Sequence, residues 1–181
     1  LNQSYKNFEY IIIDGNSTDD SLKIIQKYDK DIDFWISKDD KGIYDAFNKG
    51  LDLARGKFIV FVNSDDLLTS NAIRILKEYD TKNPNIDFLF GTVKKHWGTL
   101  YGYRPWKIYF SWGFYSSHST GFYIKKEAAK KIGKYNLKYT YSADYDYFYR
   151  MIVTHKLKGI GTRKDELFGI FRPGGFSSNT G

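Results

Sequence analysis

The chain has 181 residues and no cysteine, which excludes disulfide bonds, thiolate catalysis and cysteine-ligated zinc. Its charged fraction of 27% and hydrophobic fraction of 41% exclude a disordered chain and are typical of a globular one. The formal net charge of +7 fits nucleic acid, anionic lipid or a phosphorylated small molecule as partner, and equally a lysine-rich surface that only keeps the protein soluble.

The first half of the sequence alternates predicted strands and helices. The apolar stretch 8–13 ends at the turn Asp14-Gly15-Asn16, and a second strand is predicted at 34–36. The most regular helical pattern follows at 43–54, where apolar residues recur every three or four positions. A third strand, 57–62, ends abruptly at Asn63-Ser64-Asp65-Asp66. A helix near 70–79 and a strand near 87–93 complete this half.

The second half is less regular. Aromatic residues and glycine are frequent over 97–114, where no helical period is clear. A strand is predicted at 121–124, helices at 125–132 and 144–155, and two short strands before the glycine-rich tail. Because no repeat, linker or low-complexity segment interrupts the chain, we expect a single domain over 1–181.

Strands that alternate with helices indicate an α/β fold with a mainly parallel sheet. Ligands bind such sheets beyond the carboxyl ends of the strands, where both acidic turns fall. Adjacent carboxylates such as Asp65 and Asp66 repel each other and favour a hard cation, Mg²⁺ or Mn²⁺, with positions open for phosphate oxygens. The alternative interpretation of this turn is a helix entry without a metal.

Three segments together resemble the motifs of family 2 glycosyltransferases. They are Ile11-Ile-Ile-Asp-Gly-Asn-Ser-Thr-Asp19, Gly42-Ile-Tyr-Asp-Ala-Phe-Asn-Lys-Gly50 and Phe61-Val-Asn-Ser-Asp-Asp66. Ser142-Ala-Asp-Tyr-Asp146 resembles the acidic motif on the acceptor side of the same family. The resemblance implies the GT-A fold, a mixed, mainly parallel sheet flanked by helices, here without its usual first strand. It also implies a nucleoside-diphosphate sugar as donor, Mn²⁺ or Mg²⁺ as cofactor, and inversion at the anomeric carbon.

The resemblance also implies roles for individual residues. Asp66 is the expected metal ligand, and Asp65 faces the metal or the ribose. Asp144 is the expected general base, with Asp146 as the alternative. Donor-binding roles fall on Asp14, Asp40, Asp45, Asn48, Asp65 and His118, of which His118 has a purely structural alternative. Gly15 stands where relatives often carry a second aspartate, so the nucleobase contact is expected at Asp14 or Asp40.

We therefore expect a hexosyltransferase of cell-envelope polysaccharide biosynthesis, with 1–95 binding the nucleotide sugar and 96–181 the acceptor. The acceptor is expected to be a glycan or lipid-linked saccharide, met by a cytoplasmic enzyme resting at the inner face of the cell membrane. An inactive relative that binds sugar nucleotides or serves in an assembly is the alternative. A basic nucleic-acid-binding protein ranks below both, because no nucleic-acid motif is visible and the acidic turns would repel phosphate; nucleic acid is not an expected partner.

Overall fold

The computed structural model describes residues 2–110 and 119–172. The strands within them are β1 (Ile11–Asp14), β2 (Phe34–Ser37), β3 (Phe58–Val60), β4 (Leu67–Leu68), β5 (Phe88–Phe90), β6 (Thr92–Lys95), β7 (Gly98–Leu100), β8 (Phe122–Lys125), β9 (Gly159–Gly161) and β10 (Leu167–Ile170). The α-helices are α1 (Ser21–Lys27), α2 (Ile43–Leu53), α3 (Ala72–Lys82), α4 (Lys126–Ile132) and α5 (Ala143–Tyr149). A π-helical turn, Arg150–Thr154, continues α5, and Ser119–Gly121 forms a 3₁₀ turn before β8. In these same ranges no helix combines the length and the hydropathy needed to cross a bilayer.

The strands form three sheets. β1 and β2 pair in parallel, with Asp14 opposite Ser37 at their carboxyl ends. A second sheet has the order β3-β8-β5-β9, in which β8 runs antiparallel to β3 and β5 while β9 is parallel to β5. A third has the order β4-β10-β6-β7, in which β10 pairs in parallel with β6 and antiparallel with β4. β6 and β7 form an antiparallel hairpin.

The mixed α/β class is confirmed, but parallel pairing is less dominant than the sequence predicts. Of the strand pairings in the described ranges, four are antiparallel and three parallel. The main reason is β8, a strand of the second half that inserts between β3 and β5 of the first half. The two predicted halves therefore share a sheet, and their division by substrate remains a prediction.

The central sheet is buried on both faces. Along β5, Phe88 and Phe90 face the core shared with α4 and α5, whereas Leu89 faces the core shared with α3. Both phenylalanines and the leucine are fully buried, as expected for alternate residues of a strand covered on its two sides. This explains why the sequence of β5 has no polar alternation.

Helix α2 is shaped by local signals that the sequence contains. Gly42 precedes it with φ at +100°, a conformation that glycine adopts without the steric cost of a Cβ. Tyr44, Phe47 and Leu51 lie on one face and pack against the core of α4 and α5. The ring of Phe47 stacks on Phe61 at a centroid distance of 4.3 Å, which ties α2 to the segment leading into the Asp65-Asp66 turn.

Candidate active site

Asp14 ends β1 and is almost completely buried. Its Oδ1 accepts a hydrogen bond from Ser17 Oγ at 2.5 Å, and its Oδ2 accepts from Ser37 Oγ at 2.6 Å and from the Ser17 N–H at 3.1 Å. Burial by itself would raise the pKa of Asp14, but the hydrogen bonds outweigh it and the pKa is lowered. The carboxylate therefore stays charged and binds the end of β1 to the end of β2.

The turns that follow β1 and β2 lie against each other. Asn16 Nδ2 donates to Asp39 Oδ1 at 2.9 Å. Gly15 approaches Asp40 so closely that a Cβ at position 15 would lie 2.8 Å from Asp40 Oδ2. Asp40 Oδ1 in turn accepts from the Gly42 N–H at 2.9 Å, at the entry to α2. Asp14 and Asp40 are thus brought to one corner of the molecule, with glycine as the only residue that fits between the two turns without displacement.

The two α2 residues expected in the donor pocket have other partners. Asp45 Oδ2 accepts from the Lys41 N–H at 3.2 Å and pairs with Lys49 Nζ at 3.5 Å, so it joins the segment before α2 to the helix. Asn48 is buried and exchanges two hydrogen bonds with the backbone of Tyr135, at 3.0 Å to the carbonyl and 2.8 Å from the N–H. The amide of Asn48 therefore holds the segment between α4 and α5, and its contact with the donor remains a prediction.

Asp65 and Asp66 lie in a tight turn after β3, closed by a hydrogen bond of 3.0 Å from the Asp66 N–H to the Asn63 carbonyl. Asp66 is buried, and its Oδ2 accepts a hydrogen bond of 2.5 Å from Thr120 Oγ1, which is itself fully buried. Asp65 is half-exposed and makes no hydrogen bond or ion pair with residues 2–110 or 119–172. One carboxylate is therefore fixed by the scaffold while its neighbour faces outward.

Lys95 is a basic residue that interacts electrostatically with Asp66 of this turn. Its half-buried ammonium lies over the ring of Phe171, with Nζ 4.3 Å from the centroid. Burial lowers the pKa of Lys95, and the nearby carboxylate of Asp66 opposes that shift without reversing it. Lys95 and Thr120 come from β6 and the turn before β8, far from Asp66 in sequence, so only the fold could identify them.

Asp144 and Asp146 lie two residues apart in α5 and have different surroundings. Asp146 Oδ2 is engaged by Arg150, at 2.9 Å from Nε and 2.9 Å from Nη2. Asp144 Oδ1 accepts from the Tyr44 hydroxyl at 3.2 Å and from the Tyr145 N–H at 2.8 Å, and its Oδ2 accepts no bond from the described part of the chain. Asp146 is thus ion-paired with Arg150, whereas Asp144 has no ion-pair partner in the described part of the chain.

The chemistry of the Asp65-Asp66 turn fits a divalent metal. Carboxylate oxygens are the ligands that Mg²⁺ and Mn²⁺ prefer, and two adjacent ones leave most of an octahedral sphere for phosphate oxygens and water. No group of three or more His, Cys, Asp or Glu side chains converges within 2–110 and 119–172. His118, the other predicted contributor, lies outside the described residues.

Known proteins share both the sequence pattern and the fold. The profile of Glycosyl transferase family 2 matches residues 1–151. A PGL/p-HBAD biosynthesis glycosyltransferase of Mycobacterium bovis is 29% identical over 154 residues, 80% of this chain and 58% of that protein. An uncharacterised glycosyltransferase of Methanocaldococcus jannaschii is 30% identical over 164 residues, 83% of this chain and 56% of that protein. The chain thus spans a little more than half the length of these relatives.

Solved structures match with lower identity. The crystal structure of Staphylococcus aureus TarS with UDP-GlcNAc superposes with a TM-score of 0.78 and 16% identity, covering 99% of this chain and 54% of that one. The mannosyltransferase PcManGT of Pyrobaculum calidifontis, solved with GDP-Man and Mn²⁺, gives a TM-score of 0.67 and 17% identity over 94% and 50% of the two chains. These likenesses show the GT-A fold, and the profile match over residues 1–151 shows that the chain belongs to glycosyl transferase family 2.

Proposed function

We propose that this chain carries the catalytic GT-A domain of an inverting glycosyltransferase. It moves a hexose from a nucleoside-diphosphate sugar to a hydroxyl of a glycan or lipid-linked saccharide in cell-envelope polysaccharide biosynthesis. The observation that carries the proposal is the Asp65-Asp66 turn, in which a buried, Thr120-held carboxylate stands beside an outward-facing one at the end of β3.

In this proposal Asp65 and Asp66 hold Mn²⁺ or Mg²⁺. When bound, such a metal neutralises the charge that develops on the departing nucleoside diphosphate. Thr120 keeps Asp66 oriented through its hydroxyl, and Lys95 is close enough for the charge of Asp66 to raise its pKa against the effect of burial. Asp14 and Asp40 shape the nucleoside end of the donor site through the paired turns after β1 and β2.

Asp144 acts as the general base. Its Oδ2 takes the proton of the acceptor hydroxyl while that oxygen bonds to the anomeric carbon and the bond from this carbon to the phosphate oxygen breaks. The nucleoside diphosphate leaves with the electron pair of the broken bond. Support for Asp144 over Asp146 comes from Arg150, which forms an ion pair with Asp146 through two nitrogens, whereas Asp144 has no ion-pair partner in the described ranges.

We propose that the protein binds its acceptor at a membrane surface. Trp106 and Tyr109 are more than half exposed on the segment that follows β7, with Lys107 between them. Aromatic rings beside cations suit the interface of an anionic bilayer. Sedimentation with vesicles containing phosphatidylglycerol tests this: Trp106→Ser with Tyr109→Ser should release the protein, and equal sedimentation of the variant contradicts the proposal.

The donor site is tested by melting the protein with UDP, GDP and dTDP, each with and without Mn²⁺. Ligand at about a hundred times its dissociation constant adds roughly 2.7 kcal/mol of stability, or a rise of about 5–10 °C for a domain of this size. We expect the rise with one nucleotide, only with metal, and lost in Asp66→Ala. Asp165→Asn, an exposed carboxylate elsewhere, is the matched control and should keep it. No rise with any nucleotide would contradict the proposal.

A further inference from the structure

A tyrosine of α2 touches the carboxylate proposed as the general base. Tyr44 Oη lies 3.2 Å from Asp144 Oδ1, although one hundred residues separate the two in sequence. The half-buried ring lies in the core of α4 and α5 while its hydroxyl reaches the first turn of α5. Among residues 2–110 and 119–172, Tyr44 is the side chain from outside α5 that bonds to Asp144.

The ring of Tyr44 is fixed by stacking. It lies parallel to Tyr135 at a centroid distance of 5.7 Å, and Tyr135 stacks on Tyr147 of α5 at 4.2 Å. The backbone of Tyr135 is in turn held by the two hydrogen bonds of Asn48, one turn further along α2. The stacked rings of Tyr44, Tyr135 and Tyr147 therefore join α2 to α5. At the Tyr44 end of this stack, the hydroxyl contacts the carboxylate of Asp144.

The surroundings of Tyr44 keep its hydroxyl protonated. Burial raises the pKa of Tyr44 far above its ordinary value, and the negative charge of Asp144 raises it further. A protonated phenol donates its hydrogen to a carboxylate oxygen, so Tyr44 is the donor in its bond to Asp144 Oδ1. The other charged groups on this face are Asp146 and Arg150, which pair with each other and leave the bond between Tyr44 and Asp144 separate.

We propose that Tyr44 is the positioning residue of the general base. It holds Oδ1 of Asp144 so that Oδ2 points toward the incoming hydroxyl, and it does so from the helix whose first residues adjoin Asp40 on the donor side. The donor-side helix thereby sets the orientation of the group that activates the acceptor. This inference rests on the proposed role of Asp144 in glycosyl transfer.

The test measures release of nucleoside diphosphate from UDP-GlcNAc, GDP-mannose and dTDP-glucose with Mn²⁺, with water in place of the acceptor. Tyr44→Phe keeps the ring and removes the hydroxyl. Because a hydrogen bond to a charged group is lost, kcat should fall about 10-fold while the donor KM stays unchanged. Tyr123→Phe is the matched control: this residue of β8 packs in the core shared with α3 and its buried hydroxyl has no hydrogen-bond partner in the described ranges, so kcat should be unchanged.

Two further measurements separate the inference from the function on which it rests. Asp144→Asn should lower kcat by about 100- to 10,000-fold; full activity, or no release by the wild type from any donor, would refute the proposed function itself. The contact is tested independently of turnover by the melting temperatures of Tyr44→Phe, Asp144→Ala and the double variant. We expect the double loss to be smaller than the sum of the single losses. Additive losses, or an unchanged kcat in Tyr44→Phe beside an inactive Asp144→Asn, would overturn the role of Tyr44.

Discussion

The acidic turns after β1 and after β3 look alike in sequence but are built in different ways. The carboxylate of Asp14 is bonded by Ser17 and Ser37, the first in its own turn and the second in the adjacent strand. Asp66 is held by Thr120, 54 residues away, while Asp65 has no bonding partner in the described residues. The first turn has its charge bonded to neighbouring side chains, whereas the second presents a charge that we propose to bind the metal.

The largest effect is expected from weakening the support of the second turn. Thr120→Val removes the hydroxyl that orients Asp66 and preserves its shape. Loss of such an outer partner typically reduces metal affinity by about 10- to 100-fold. Titration of the melting temperature with Mn²⁺ in the presence of the stabilising nucleotide measures it.

The control for this variant is Thr81→Val, which removes an exposed hydroxyl that bonds only within α3. Its Mn²⁺ titration should match that of the wild type. An unshifted titration in Thr120→Val would mean that the Thr120 hydroxyl is not needed to orient Asp66 for the metal.

A substitution in the first turn, after β1, should lower the free energy of unfolding. Asp14→Asn weakens the hydrogen bonds from Ser17 and Ser37, which we expect to cost about 2 kcal/mol at pH 7. Because the pKa of Asp14 is lowered in the folded protein, its contribution is present above the unfolded pKa of about 3.9 and is lost as the pH falls through the folded value. The difference in unfolding free energy between Asp14→Asn and the wild type, measured with urea, should therefore become smaller below about pH 4.

Asp31→Asn, on an exposed 3₁₀ turn, serves as the control and should show no such narrowing. If Asp14→Asn is less stable than the wild type by the same free energy at every pH from 7 down to the acid limit of folding, the charge of Asp14 does not stabilise the fold. The loss would then come from packing.

The smallest effect is expected where the two turns of the first region meet. Gly15→Ala places a Cβ 2.8 Å from Asp40 Oδ2, so the short carboxylate must shift and loosen its bond to the Gly42 N–H. We expect a loss of about 1 kcal/mol in urea unfolding. Gly56→Ala, whose Cβ would meet its nearest neighbour at an ordinary 3.5 Å, should change stability less. Equal losses would show that Asp40 is free to move.

Much of the first half could be predicted from sequence because its signals are local. The apolar stripe of α2 and the apolar runs of β2 and β3 agree with the structure to within a few residues. The predicted strand at 87–93 is two strands, β5 and β6, separated by Gly91, because each pairs in a different sheet. The antiparallel insertion of β8 could not be predicted, since nothing in the sequence of a strand specifies its distant partner.

The candidate site divides in the same way. The spacing of Asp65, Asp66 and Asp144 marks them in the sequence through the resemblance to the family. Thr120 and Lys95 carry no such mark, because their importance comes only from the fold, which brings them close to Asp66. Tyr44 lies within the second motif, but the resemblance gives it no role, and only its contact with Asp144 singles it out. Asn48 shows the converse: it lies in a motif that suggests a ligand, yet its amide is used on the backbone of Tyr135.

Arg150 places a constraint on how this protein can vary in evolution. Its guanidinium binds Asp146, donates to the carbonyls of Ile132 and Lys134 at 2.7 and 2.8 Å, and lies over the ring of Tyr147. A lysine retains the charge but has a single nitrogen, so it cannot serve these acceptors from one plane. Variation at this position should therefore be narrower than its charge alone would suggest, and a drift to lysine should require compensating change in the segment between α4 and α5.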